Sequence, residues 1–424
     1  MSIDFSRKQE RTVIFAVTLG NLLEWYEIYL YIYWSPILAK LFFNSGSDLV
    51  NMTNTFLVFA LGFLARPLGG LFFGRLGDRV GRKKSLILSI MMMIVPTFVT
   101  GLLPTHAQIG IFAPIILGIM RVFQSFPAGG ELPGAFCYLY ESSHPYNKRY
   151  MCSWGAFGFQ VGILISTVEC FFLERFLSAE DLITWGWRVS FLVGGVIGLF
   201  GLYLRSKLHE THVYKEMLTH EKVVKEPLMK VLKQYKGKIF KGILFCALNS
   251  SAFYLLTVNF SVYLGQLLGE SYSNNLLSAI ALLVLITVPL PYFGRLADKF
   301  DNRKLLVYSM IGIIALLFPL YVAVANDYVV LLAVALFLFC ILFTMLSTLI
   351  PFLLPDLFPT RVRFTCVGVS FNLADATLGS FTPVISMYLV HFTGRQESFC
   401  WYLLFCSLLS LAAYLCLPKP SRSQ

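Results

Sequence analysis

Six ionisable side chains interrupt stretches of this chain that are otherwise apolar. Burial favours the neutral form of a carboxyl group and a nearby cation favours its ionised form, so a carboxyl group beside a movable cation can take up and release a proton. In a membrane-spanning helix such groups are therefore the first candidates for a solute path. The alternative is a buried ion pair that only fixes the packing of helices. The six are Glu24, Glu27, Arg66, Arg121, Glu131 and Asp375.

Four of these charges are predicted to share one layer near the middle of a membrane. With a rise of 1.5 Å per residue, Glu24 and Glu27 lie about 18 and 22 Å from the inner end of their apolar stretch. Arg121 lies about 25 Å along its own stretch and Asp375 about 16 Å into a third. Because Glu27 is nearer than Glu24 to the depth of Arg121, we favour Glu27 as the proton site.

The remaining two charges, Arg66 and Glu131, are predicted to form a second layer. Both lie about 12 Å from the inner ends of their stretches. This matched depth predicts that they pair directly or through water.

Polar residues also gather on single helix faces, with spacings of three and four residues. Glu24, Glu27 and Tyr31 share a face, and Asn372 and Asp375 share another. Polar residues on one face of each helix indicate a solute path. The predicted substrate-binding residues are Arg66, Arg121, Glu131, Gln124, Asp375, Asn372 and Tyr31.

Twelve apolar stretches position these residues. Of the 424 residues, 57% are hydrophobic and only 13% are charged, whereas about 25% are charged in a soluble protein. Each stretch has about the length that a helix needs to cross the hydrocarbon layer. The sequence predicts an all-α membrane protein with helices near 12–36, 52–74, 85–103, 108–140, 151–173, 187–205, 240–268, 274–294, 304–324, 328–354, 364–392 and 399–417.

The basic residues are concentrated on one side of the predicted membrane. The amino terminus, the carboxyl terminus and the even-numbered loops hold 28 of the 34 Lys and Arg residues, including Arg205, and the opposite loops hold three. Basic loops stay in the cytoplasm, so both termini are predicted to be cytoplasmic. The net charge of +11 is thereby explained without nucleic-acid binding. The nine cysteines have no metal-ligand spacing, and no metal or cofactor is expected.

The chain is predicted to consist of two related halves. FFGRLGDRVGRKKSL (72–86) follows the second predicted helix, and YFGRLADKFDNRKLL (292–306) follows the eighth. The repeat indicates a six-helix bundle over 1–205, a cytoplasmic linker over 206–239 and a second, pseudo-symmetric six-helix bundle over 240–424. Duplicated bundles of this kind carry solutes by rocking about a midplane site.

Several motifs in this layout resemble the major facilitator superfamily, and within it the metabolite:proton symporters. They are GNLLEWYEIYLY (20–31), FLARPLGGLFFGRLGDRVGRKK (63–84), RVFQSFPAGGELPGA (121–135), WGWRVSFLVGG (185–195) and DLFPTRVRFTCVGVSFNLA (356–374). The resemblance implies a proton-coupling role for Arg121, which we extend to Glu24 and Glu27. It also implies that Asp78 caps the eleventh helix.

The same resemblance predicts a gate at the inner face. Arg82 and Glu141 are expected to join Asp78 there, and Asp298 occupies the position of Asp78 in the second repeat. The sequence departs from the family at Glu27, where Asp is usual, and at Ser125 and Ser380, where Gly is usual. Asp375 stands in a stretch that is usually apolar.

The expected function is proton-coupled symport of a small polar metabolite across a cytoplasmic (inner) membrane, by a monomer and without enzymatic activity. Three carboxylates among the midplane charges favour a zwitterion such as an amino acid or betaine. A di- or tricarboxylate is the alternative within the class, and a transporter-like solute sensor is the alternative from another class. Tyrosine and tryptophan in the first helix could line a site for a quaternary ammonium group, although these residues are also common at membrane interfaces.

Overall fold

The computed structural model describes residues 7–220, 226–267 and 272–416, and those residues form helices and connecting turns without a strand. Twelve helices are long and apolar enough to cross a membrane, which confirms the predicted fold. They are α1 Gln9–Phe42, α2 Asp48–Val80, α3 Arg82–Leu102, α4 Phe112–Ser142, α5 Lys148–Phe176, α6 Ala179–Ser206, α7 Leu228–Leu264, α8 Ser273–Lys299, α9 Asn302–Ala325, α10 Val329–Asp356, α11 Thr360–Thr393 and α12 Gln396–Leu415.

The helices pack as two groups of six, and the groups contact each other through pairs of helices that occupy equivalent positions in the two halves. Within the first group α2 packs on α4, and α1 packs on α5 and α6. Within the second group α9 packs on α10, and α7 packs on α12. Between the groups α2 packs against α11, and α8 packs against α5. The repeated motifs, 72–86 and 292–306, begin in the last turns of α2 and α8 and end in α3 and α9, so these two contacts are related in the way that the sequence repeat predicts.

The connection between the groups is more helical than the sequence indicates. After α6 ends at Ser206, a short linker helix spans His212–Thr219, and α7 begins at Leu228. The predicted boundary at 240 therefore falls inside α7. The first turns of α7 carry Lys230, Lys233 and other lysines, so hydropathy does not mark them as part of a membrane helix. We call the side of the molecule that carries this connection the linker face.

Glycines bring α2 and α4 into backbone contact near the charged residues. A methyl group at Gly69 would lie 1.6 Å from the carbonyl oxygen of Phe126, and one at Gly129 would lie 1.8 Å from that of Arg66. No side chain larger than hydrogen fits at either position without moving a helix. The close approach holds Arg66 of α2 beside α4.

Two of the helices that meet between the groups change their winding at mid-height. α7 has a π-helical turn at Leu255–Phe260, and α11 has one at Asp375–Gly379. Such turns are frequent at functional sites because they redirect side chains within a continuous helix. The turn in α11 begins at Asp375, one of the predicted site residues.

Candidate functional site

Glu27, Glu24 and Arg121 meet around one small cavity in the first helix group. The cavity has a volume of about 10 Å³, room for about one water molecule, and is lined by these residues together with Gln124 and Ser125, among others. All three charged side chains are at most 2% exposed. The structure thus brings together the three residues for which the sequence predicts proton coupling.

A chain of hydrogen bonds runs from Arg121 to Glu27. Arg121 Nη1 donates to Gln124 Oε1 at 3.4 Å, and Gln124 Nε2 donates to Thr97 Oγ1 at 3.3 Å. Thr97 in turn contacts Glu27 Oε1. Glu27 makes this hydrogen bond without forming an ion pair with any described cation.

The contact between Thr97 and Glu27 bears on the protonation of Glu27. A threonine hydroxyl has one hydrogen to donate, and Thr97 Oγ1 also lies 2.8 Å from the carbonyl oxygen of Met93, which can only accept. If Thr97 donates to Met93, the proton between Thr97 and Glu27 must come from Glu27. The site therefore accommodates Glu27 as a neutral carboxylic acid without losing a hydrogen bond.

Arg121 retains hydrogen-bond donors for another group. Its guanidinium lies 4.5 Å from the ring centroid of Tyr31 and 5.1 Å from that of Phe59, so aromatic faces contact the cation. Arg121 Nε and Nη2 are buried and have no hydrogen-bond partner among the described residues. Unpaired buried donors are rare, and an anionic solute group or a water molecule would satisfy these two.

Arg66 forms an ion pair with Glu24 across α1 and α2. Arg66 Nη2 lies 2.9 Å from Glu24 Oε1, and the guanidinium stacks 5.3 Å from the ring centroid of Trp25. Arg66 Nη1 and Glu24 Oε2 remain without partners among the described residues. The pair is therefore half satisfied and offers one donor and one acceptor.

Arg66 and Glu131, which the sequence predicts to pair directly or through water, form no direct ion pair, because each residue has another partner. Glu131 is fully buried against Arg205 of α6, whose Nη1 lies 2.8 Å from Glu131 Oε2, and it accepts from Ser89 Oγ at 2.6 Å. Arg205 ends the sixth predicted stretch (187–205), so the sequence places it with the loop residues. In the structure its side chain folds back along α6 into the bundle, the direction that helical side chains take.

Asn372 and Asp375 of α11 have different surroundings. Asn372 Nδ2 donates to the carbonyl oxygens of Gly129 at 2.6 Å and Gly368 at 2.7 Å, and so joins α11 to α4. Asp375 is 5% exposed, and Arg66, Tyr254 and Glu24 are among the groups that interact with it. Asn372 Nδ2 thus joins the helices, whereas Asn372 Oδ1 is buried without a partner among the described residues. Asp375 lies where the two groups meet.

Asp78 contacts the start of α11 at the linker face. Its carboxylate accepts from the backbone N–H groups of Phe364 at 3.2 Å and Thr365 at 2.9 Å, and from Thr365 Oγ1 at 2.7 Å. These are groups that a helix amino terminus leaves unpaired, and the helix dipole favours an anion beside them. The contact that the resemblance implies for Asp78 is present.

Arg82 and Glu141 extend this contact into a network between the two groups. Arg82 Nε lies 2.9 Å from Glu141 Oε2, and Arg363 Nη1 of α11 lies 2.8 Å from Glu141 Oε1. Arg82 Nη2 also donates to the carbonyl oxygen of Thr360 at 2.7 Å. The linker face is therefore closed by charged contacts that cross from one group to the other.

Asp298 makes the equivalent contact in the second repeat. It accepts from the backbone N–H groups of Arg149 at 2.9 Å and Tyr150 at 3.0 Å, at the start of α5. Asp78 thus contacts the amino terminus of α11, and Asp298 contacts that of α5. The two contacts are related by the pseudo-symmetry of the halves.

The linker itself contributes to this network, which the sequence analysis did not anticipate. Thr211 Oγ1 donates to Glu141 Oε2 at 2.9 Å, and Glu210 Oε1 accepts from the backbone N–H of Arg82 at 3.0 Å. The guanidinium of Arg82 lies 5.1 Å from the ring centroid of Tyr214 in the linker helix. Thr211 is of a residue type that often precedes the first turn of a helix, and this is the signal that could have indicated the linker helix.

Comparison with known proteins places these features in a family. The family model described as Major Facilitator Superfamily matches residues 17–383. A proline/betaine transporter of Salmonella typhimurium is 30% identical over 410 residues, which cover 95% of this chain and 82% of that protein. A citrate-proton symporter of Klebsiella pneumoniae is 33% identical over 402 residues, covering 94% of this chain and 90% of the relative.

A solved structure shows the same fold at lower identity. The proton:xylose symporter XylE bound to 6-bromo-6-deoxy-D-glucose superposes with a TM-score of 0.80 at 16% identity. The superposition covers 96% of this chain and 95% of that one.

Proposed function

This chain belongs to the Major Facilitator Superfamily and is a multi-pass membrane transporter, and we propose that the cluster of Glu27, Thr97, Gln124 and Arg121 couples its transport to protons. The observation that carries this proposal is a buried carboxyl group without an ion pair, hydrogen-bonded in a way that accommodates its neutral form. The names of the relatives include a proton symporter.

Glu27 is the proposed proton site, and Arg121 is its proposed sensor. The buried carboxyl group of Glu27 is readily neutral because no cation is in direct contact with it. When a solute anion or a change of state moves Arg121, the free energy of ionising Glu27 changes with it. Glu24 is the weaker candidate because Arg66 already neutralises it.

The proposed substrate is a zwitterion such as an amino acid or betaine. Arg66 and Arg121 carry unpaired donors that suit a carboxylate, and Asp375 supplies a carboxylate for a cationic group. Gln124, Tyr31 and Asn372 complete the proposed lining, whereas Glu131 is engaged by Arg205. The relatives include a transporter of proline and betaine.

A di- or tricarboxylate is the second candidate substrate. Two guanidinium groups with free donors favour an anion, and one relative is a citrate-proton symporter. The buried Asp375 opposes this alternative, because it adds a negative charge where such a substrate would bind.

The halves 1–205 and 240–424 are proposed to rock against each other within a monomer. The contacts of Asp78, Arg82, Glu141 and Asp298 would then form a gate that opens when the linker face opens. From the distribution of basic residues we infer that this face is cytoplasmic, that both termini lie there, and that the membrane is the cytoplasmic (inner) membrane. The charge of the chain is explained by this orientation and gives no support to nucleic-acid binding.

Uptake into proteoliposomes tests the proposed function. Vesicles with an alkaline interior receive labelled proline, glycine betaine or citrate, with and without a protonophore. Proton-coupled symport predicts accumulation of a zwitterion that the protonophore abolishes. Equal uptake with and without the gradient contradicts coupling, and accumulation of citrate alone favours the second candidate.

A further inference from the structure

A second polar site lies where the two helix groups meet, outside the cavity that contains Glu27. Asp375 begins the π-helical turn of α11, and three side chains converge beside Gly379 of that turn. A methyl group at Gly379 would lie 2.8 Å from Ser250 Cβ and 3.1 Å from both Asp375 Oδ1 and Tyr254 Cε2. Ser250 and Tyr254 are one turn apart on α7, so both face α11 here.

The charges at this junction are unbalanced. Asp375 and Glu24 are both buried, and Arg66 is the cation that acts on each of them. Arg66 forms its ion pair with Glu24, which leaves Asp375 without an ion-pair partner among the described residues. A buried carboxylate is stable only when it is paired or protonated, so a cationic ligand fits beside Asp375.

Unpaired polar atoms also collect here. The hydroxyl oxygens of Ser250 and Tyr254, which can accept as well as donate, are buried without a partner among the described residues, and the same holds for Oδ1 of Asn249. A side-chain amide oxygen can only accept, and a carboxylate accepts through both oxygens. The junction therefore suits a cation that brings several hydrogens bound to nitrogen.

Three nearby aromatic rings are packed on one another and are not free to receive a cation without such hydrogens. Trp25, Phe159 and Phe253 pack on one another with centroids 5.2 to 5.7 Å apart. Arg66 lies over Trp25 as well. A quaternary ammonium group is recognised by free aromatic faces, and here the rings contact each other and a resident guanidinium.

We propose that Asp375, with Ser250 and Tyr254, binds an ammonium group that carries at least one N–H, in a zwitterion whose carboxylate binds Arg66. This inference rests on the proposed zwitterion symport and narrows it to substrates that carry N–H groups. A fully methylated ammonium group cannot donate hydrogen bonds and would leave buried acceptors unpaired. Loss of the last N–H is expected to weaken binding by about a hundredfold, since one unpaired buried group has an effect of that order.

A graded series of ligands tests the proposal on the purified full-length protein. Glycine, N-methylglycine, N,N-dimethylglycine and glycine betaine share one carboxylate and lose one N–H at each step. Binding is measured by thermal stabilisation, which needs neither a proton gradient nor turnover. We expect affinity to fall most sharply, by about a hundredfold, between N,N-dimethylglycine and glycine betaine.

Two variants connect this series to the site. Asp375→Asn keeps the size of the side chain. It is expected to weaken binding of the N–H ligands so far that all four ligands bind with similar affinity. Asp327→Asn removes a charge from an exposed residue and is the matched control, with an unchanged series. If Asp375→Asn does not fold, Ser250→Ala is used instead, with about tenfold weaker binding of the N–H ligands expected.

The outcomes separate this inference from the proposed function. If glycine betaine binds as tightly as N,N-dimethylglycine, the ammonium site is overturned while zwitterion symport stands. If Asp375→Asn or its substitute Ser250→Ala preserves the wild-type order and spacing of affinities, these residues do not form the ammonium site. If citrate alone binds, the zwitterion proposal fails together with this inference.

Discussion

At the scale of single residues, the pair of Glu131 and Arg205 illustrates the cost of buried charge. Both side chains are fully buried, and Ser89 and the carbonyl oxygen of Leu86 satisfy further hydrogen-bonding groups. Such a pair contributes little relative to an apolar replacement of similar volume, but a single charge left behind is expensive. We therefore expect Glu131 to stabilise the first helix group.

Arg205→Met is expected to lower stability by about 3–5 kcal/mol, because Glu131 would remain buried without a cation. The double variant Arg205→Met, Glu131→Leu should recover most of that loss. Thermal unfolding of detergent-purified protein measures both. A double variant no more stable than Arg205→Met would refute the pairing. A stable double variant that cannot bind substrate would show that Glu131 is a substrate-binding residue.

Residue positions along a helix could be predicted, but partners across helices could not. The depth and face of Glu24, Glu27 and Arg121 follow from the regular rise and turn of an α-helix, and the three line one cavity. The partner of Glu131 depends on how α4 and α6 are rotated against each other. That rotation is set by packing, so equal depth alone suggested the wrong cation.

At the scale of elements, two helix amino termini are capped by carboxylates from the opposite half. Asp78 caps α11, and Asp298 caps α5. The Asp78 side chain is fully buried, whereas that of Asp298 is 8% exposed. Asp78 lies 3.4 Å from Arg82, and Asp298 lies 3.8 Å from the more exposed Arg149. The two caps should therefore differ in strength although their geometry is equivalent.

Asp78→Asn retains the size of the side chain but removes the charge at the start of α11. Loss of this buried interaction with the helix dipole costs up to ~2 kcal/mol, about a thirtyfold shift in the equilibrium between closed and open linker faces. Transport should fall while substrate binding persists. Asp298→Asn is the matched variant and should have a smaller effect. Unchanged transport by correctly inserted Asp78→Asn protein would argue against the gate.

The order of the helices could be predicted from hydropathy, but the detail of two elements could not. The start of α7 is rich in lysine, so its first turns resemble a loop in composition. The π-helical turn at Asp375–Gly379 has no signature in apolar periodicity. Both features depend on contacts with neighbouring helices, which the local sequence does not contain.

At the scale of the whole molecule, the charged contacts close the linker face and so determine where a solute can enter. Asp78, Arg82 and Glu141 link the two halves at this face. Towards the middle of the molecule the described contacts between halves include neutral ones, such as that of Tyr29 with Thr257. The state described here is therefore one in which the linker face is sealed.

A native cysteine reports the orientation of the whole molecule. Eight of the nine cysteines are buried, and Cys416 at the end of α12 is exposed. If the termini are cytoplasmic, a membrane-impermeant maleimide should label Cys416 in inside-out vesicles and leave it unlabelled in intact cells. Cys416→Ser provides the control for background labelling. Labelling from outside intact cells would reverse the proposed topology.

Substrate-driven proton flux is the most direct test of the central claim, that Glu27 couples solute movement to protons. Proteoliposomes containing a pH-sensitive dye receive a zwitterionic substrate without an imposed pH gradient, and the internal pH is followed. Wild-type protein should acidify the interior as substrate enters. Glu27→Gln should carry substrate down its gradient without acidification. Glu24→Gln should still acidify the interior, but only at a higher substrate concentration, because Arg66 loses its partner. Acidification by Glu27→Gln at the wild-type ratio of protons to substrate would contradict the account.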